Sequence, residues 1–207
     1  MLAGGAAAWQ HGFGDAAVHY RRAAALDSSY TGAPTAAAVA LSFHGDCGAV
    51  DSIARQLEPH VDRLPPLDRG ELDYATASCR GDFAGAHVAS LAVLATVPHS
   101  VEFTILAAIT ATEDLRPREA LAVLERLDPE RAGLKGPQRA IYRFWLAQAY
   151  HLSGQYAREL ETTRAGRDDA HLAADEAAAL AALGRTQEAE RLAVGFLPDH
   201  YSGDEVW

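Results

Sequence analysis

Gly81-Asp82-Phe83-Ala84-Gly85-Ala86, with Val93 and Pro98 beyond it, is the stretch that decides the fold of this 207-residue chain. Glycine ends a helix because it alone takes the left-handed C′ conformation cheaply. The aspartate that follows can cap the next helix, its carboxylate accepting from backbone N–H groups that have no partner in the first turn. Alanine five positions after the glycine falls on the inner face, where a small side chain lets neighbouring helices cross closely. Pro98 closes the second helix. The stretch reads as helix end, turn and capped helix start.

The same punctuation recurs along the chain. Gly45-Asp46-Cys47 leads to Val50, Gly184-Arg185-Thr186 to Ala189, and Gly154-Gln155-Tyr156 to Glu159-Leu160. Gly12-Phe13 with Ala16 is shorter by one residue, and Leu115-Arg116-Pro117 leading to Ala120 is a variant without glycine. The turns are spaced by 33, 36, 34, 39 and 30 residues, an average of about 34, which is a helix–turn–helix period. Asp15, Asp46 and Asp82 are expected caps. Pro34, Pro117 and Pro137 sit in expected first turns, where proline is tolerated. Apolar residues recur at three and four, as in Val50, Ile53, Ala54 and Leu57, or Ala120, Val123, Leu124 and Leu127. Ala86, Ala120, Ala147 and Ala189 are the expected close crossings.

The pattern predicts six helix pairs: 3–11 with 15–27, 34–44 with 47–58, 67–80 with 83–96, 101–113 with 117–127, 137–153 with 156–166, and 170–183 with 186–195. The corresponding repeats span 1–30, 31–62, 64–98, 99–129, 137–167 and 168–197, with a tail at 198–207 and an insertion at Asp128–Gly136. Helices this short are marginal alone, so packing between neighbours must stabilise them as one array. Neither end offers a polar capping helix. This suggests a piece of a longer protein, or end-to-end self-association.

Composition narrows the function. A net charge of −10 opposes general binding to nucleic acid or anionic membrane, both of which need a positive field. The longest apolar runs, such as Ala89–Val97, fall short of a membrane span, and no signal-peptide pattern opens the chain, which is expected to be cytoplasmic. The two cysteines, Cys47 and Cys79, are expected to be free, buried thiols. Cys47 at a helix start invites the thought of a nucleophile, but that position in the repeat normally packs. The histidines show no metal-ligand spacing, and phosphate-loop and hydrolase motifs are missing, so neither metal nor cofactor is expected. His151 and His171 are placed where they can meet across adjacent helices.

Trp145-Leu146-Ala147, Tyr150, Gly154, Tyr156 and Leu160 resemble a tetratricopeptide repeat, as do Gly81, Phe83, Ala86, Val93 and Pro98. The resemblance implies an all-α, right-handed α-solenoid of about six repeats. More narrowly, Leu67-Asp68-Arg69 with Leu72-Asp73-Tyr74, and Arg116-Pro117-Arg118-Glu119-Ala120, resemble the C-terminal repeat region of bacterial signalling proteins linked to kinase or DNA-binding domains. In such repeats the first helices line a concave groove that holds a protein or peptide. Carried over, the groove residues are Val39, Asp68, Glu71, Glu102, Ile105, Ile109, Phe144, Gln148 and His151. They suggest an acidic rim beside an apolar floor. The family's carboxylate-clamping cage of Lys, Arg and Asn has no counterpart here, since the chain has no asparagine and only Lys135 as lysine. The expected function is a non-enzymatic interaction scaffold or regulatory module. A small-molecule sensor and an enzyme using the groove are the alternatives.

Overall fold

A computed structural model describes residues 12–27, 29–166 and 171–194. The expected helix at 3–11 and the tail at 198–207 lie outside the described residues, as does the side chain of His171. Among the described residues the chain is all-helical and without strands. Its helices are α1 (Phe13–Leu26), α2 (Gly32–His44), α3 (Cys47–Leu57), α4 (Pro66–Cys79), α5 (Phe83–Thr96), α6 (Val101–Glu113), α7 (Pro117–Leu124), α8 (Gly136–Leu152), α9 (Tyr156–Arg164), α10 (His171–Ala182) and α11 (Thr186–Val194). A short 3₁₀ segment, Glu58–Arg63, extends α3.

The punctuation works as its chemistry dictates. Gly45, Gly81, Gly154 and Gly184 all adopt φ between 69° and 81°. Asp46 caps α3 by accepting from Ala49 N–H at 3.1 Å, and Asp82 caps α5 by accepting from Gly85 N–H at 2.9 Å. Asp15 is not a cap: α1 starts earlier, after Gly12, and Asp15 sits in its first turn. Where the pattern lacks glycine, Leu115 itself takes the left-handed conformation at φ 57°. Its side chain stays exposed. A Cβ in that region crowds the following carbonyl. Leu115→Gly is therefore expected to stabilise the protein by about 0.5–1 kcal/mol, less than the full strain because glycine loses more entropy on folding. A denaturation midpoint that stays put or falls would show that the turn is unstrained.

Every extensive helix contact joins elements one or two apart along the chain. Successive helices pack on each other, and α2 packs on α4, α6 on α8, and α8 on α10. The small residues are where the crossings are: Ala86, Ala120 and Ala147 are fully buried, and Ala189 nearly so. Gly70 of α4 serves the same end, since a Cβ there would meet Val93 Cγ2 of α5 at 2.6 Å. Regularity breaks once. α4 and α6 make little direct contact, and α6 is buried on all sides from Thr104 to Thr112. There two apolar clusters meet, one running from Ala16 to Leu106 and the other from Ile105 to Tyr150.

The cysteines correct the sequence reading. Cys47 and Cys79 are not free thiols but a disulfide, with Cα atoms 5.4 Å apart. Cys47 is the first residue of α3 and Cys79 the last of α4. In an up–down array the start of one helix and the end of the next lie at the same edge. The repeat geometry thus brings together two residues 32 apart in sequence.

Candidate functional site

The expected groove residues divide into a closed half and an open half. In the closed half, α2 and α4 pack so tightly that the acidic residues become part of the seam. Asp68 is 8% exposed and accepts from Thr31 Oγ1, while Glu71 is 9% exposed and accepts from Thr35 Oγ1 at 2.7 Å. Burial raises the Glu71 carboxyl to about 7. The Thr35 hydrogen bond opposes that shift, and the charge of Asp68 adds to it. Val39 is half-buried against the first cluster. Ile105 and Ile109, expected on an open floor, are inside the second core instead, because α6 is enclosed on every face. Glu102 alone of this group is exposed, accepting from Ser100 Oγ at 2.9 Å. A second polar cluster is also closed. His87 Nδ1 lies 3.2 Å from Thr110 Oγ1 and Nε2 3.1 Å from Glu119 Oε2, with Ser90 Oγ 2.7 Å from Thr110, pinning α5, α6 and α7 together.

The open half lies on α8 and α10. Phe144, Gln148 and His151 follow one another at four and three residues, so they share one face of α8. Each is only partly buried. Phe144 meets Trp145 edge-on, with ring centroids 5.1 Å apart, and Trp145 in turn packs on the second core. Beside this aromatic ledge, His151 Nδ1 lies 3.0 Å from both carboxylate oxygens of Glu159. With the carboxylate ionised it accepts from Nδ1–H, and the contact holds the ring in one orientation. The Glu159 side chain is 1% exposed, whereas that of His151 is 40% exposed.

Asp175 of α10 completes the corner. Its Oδ1 accepts from Gln148 Nε2 at 2.9 Å. Its Oδ2 is buried and has no hydrogen-bond partner among the described residues. Burial raises the carboxyls of both Glu159 and Asp175. The charge of Asp175 adds to the shift at Glu159, while His151 opposes both. A buried acceptor oxygen without a donor costs free energy in isolation and is a standing demand for one.

Sequence reasoning found Phe144, Gln148 and His151 but missed Glu159 and Asp175. The signal for Glu159 was present. It stands five residues after the turn glycine, where the other repeats carry Ala86, Ala120, Ala189 or Val50. A carboxylate in a slot made for a methyl group needs a partner, and His151, one helical turn before the same glycine, supplies it. Asp175 had no such signal, because its role depends on how α10 docks on α8. The pairing of His151 with His171 falls on a side chain outside the described residues.

Two further surfaces stand out. α5 carries no Asp, Glu, Lys or Arg, and it exposes Phe83, Val88 and Leu91. A cavity of about 440 Å³ lies between α1, α2 and α3, lined among others by Arg21, Tyr30, Ser52, Ile53 and Gln56. No group of three or more metal-ligating side chains occurs among the described residues. No helix among them is long and apolar enough to cross a membrane. No family model matches the sequence, and a search of curated proteins finds no match.

Proposed function

We propose that this chain is a protein-interaction scaffold, a tetratricopeptide-like solenoid in which the corner between α8 and α10 holds a segment of a partner protein. The observation that carries this reading is the half-exposed Phe144 ledge beside the acidic corner formed by Glu159 and Asp175. A partner segment with an Arg or Lys next to a bulky apolar residue answers both features: the cation complements the acidic corner, and the apolar side chain covers the ring. The ring contributes most of the affinity, and the carboxylate mainly orientation and on-rate. The carboxylate pair on either side of His151 makes the corner locally acidic, in keeping with a basic partner.

Selection of peptides from a displayed library against the intact chain tests this. Enriched sequences should pair a basic residue with an aromatic or branched aliphatic one. Phe144→Ala should weaken their binding by roughly 2 kcal/mol, as truncation of an anchor does. Asp175→Asn should cut the salt dependence and the association rate. Val88→Asp, on the outer face of α5, should leave binding unchanged. Arg164 is unsuitable as a surface control because it is tied to Glu176 at 3.0 Å. Selected peptides that bind both corner variants like the wild type would remove the corner as the site, and loss of binding in Val88→Asp would move it to α5.

A small-molecule sensor is the second reading, favoured by the cavity between α1, α2 and α3. Its volume of about 440 Å³ is within the range of sites that enclose small ligands.

A further inference from the structure

The Cys47–Cys79 disulfide joins the start of α3 to the end of α4. Apart from the bond, α3 is held by α2 and by a modest contact with α4. It buries only Val50 and Leu57, and it packs less extensively on α4 than α5 does. The flank of α3 below the bond packs only partly on the first cluster, through Ala49 and Ile53. Ala49, Ser52, Ile53 and Gln56 face the cavity of about 440 Å³ whose other walls come from α1 and α2. Both cysteines are partly exposed at the edge of the array, within reach of a small thiol.

We infer that Cys47–Cys79 is a reversible redox latch: oxidised, it locks α3 over the cavity between α1, α2 and α3, and reduction by a low-molecular-weight thiol of the glutathione class frees α3 and opens that cavity.

The exchange has a direction. Cys47 occupies the first helical position of α3, where free backbone N–H groups stabilise a thiolate, so Cys47 is the better leaving group. The incoming thiolate attacks Cys79 Sγ, and the Cys47–Cys79 bond breaks. A mixed disulfide forms on Cys79 while Cys47 departs as thiolate. A second thiolate then attacks the small-molecule sulfur of that mixed disulfide and releases Cys79. Two small thiols have become one disulfide, the protein disulfide has become two thiols, and the protons lost by the small thiols are taken up by the cysteines.

The intact chain equilibrated in mixtures of reduced and oxidised glutathione, followed by thiol trapping and hydrogen exchange, tests the latch. Both redox forms should interconvert as the ratio changes. In the oxidised form the amides of α3 and α4 should share one exchange rate. In the reduced form α3 should exchange roughly tenfold or more faster than α4, because it opens alone. The helices α8 to α11 should exchange alike in both forms. Cys47→Ser/Cys79→Ser should show the fast α3 without any added thiol, which separates the bond from the reagent. A chain that stays oxidised in a large excess of reduced glutathione is a permanent staple, and the inference fails. It fails equally if α3 and α4 keep a common rate after reduction, or if the double variant does not fold.

Discussion

Glu71→Gln is expected to stabilise the protein at pH 8 by roughly 2–3 kcal/mol while changing little at pH 4. In the folded chain burial holds the Glu71 carboxyl at about 7, above its ordinary value of 4.5. Between those two values the unfolded chain has released the proton and the folded chain has kept it. Stability therefore falls as pH rises through this window and levels off above about 7. The whole loss is the cost of ionising a carboxyl wedged between α2 and α4 with Asp68 alongside. Glutamine keeps the acceptor for Thr35 Oγ1 and never ionises. The measurement is the unfolding free energy of both proteins from pH 4 to 8. Parallel curves would show that Glu71 titrates normally and that the seam admits water.

Breaking the Cys47–Cys79 bond is expected to lower the stability of the first cluster by about 3–4 kcal/mol. The bond closes a loop set by a sequence separation of 32, and the chain-entropy relation gives about this value for a loop of that length. The effect is read in Cys47→Ser/Cys79→Ser as lost protection of the slowest-exchanging amides in α2 and α4. The third cluster, built on Leu160, Ala179, Leu180 and Ala189, lies several helices away and should keep its protection. Stability in such an array is summed over neighbouring interfaces. An unchanged first cluster would mean that the unfolded chain holds the two cysteines close without the bond.

The two predictions meet at the same helix. α4 carries Glu71 on the side facing α2 and Cys79 at its end. One residue stores a destabilising charge, and the other offsets it by restricting the unfolded chain. Neutral-pH stability in the first cluster thus depends on the disulfide more than it would near pH 4.

What the sequence determined is the part governed by local physics. Turn glycines, capping aspartates and first-turn prolines act on neighbours within about four residues, so α5 and α6 occupy the expected 83–96 and 101–113. The other described helices lie within a few residues of their expected bounds. Spacing at three and four identified the inner faces, and alanine five residues after the turn identified the crossings. Even the exception was visible, since Leu115 fills a glycine's place and takes a glycine's conformation. Tertiary structure alone decided which of those faces stayed open. Helix period places Ile109 and Phe144 alike, but the packing of α5, α7 and α8 around α6 encloses one and the docking of α10 leaves the other half-exposed. Asp68 and Glu71 have the composition of a solvated rim, and the closeness of α2 to α4 makes them a buried seam. Cys47 and Cys79 pair because two helix ends meet at one edge of the array. Asp175 Oδ2 lacks a donor among the described residues because of where α10 comes to rest. Burial, pairing and orphaned oxygens are properties of the distance between elements, and no local pattern carries that distance.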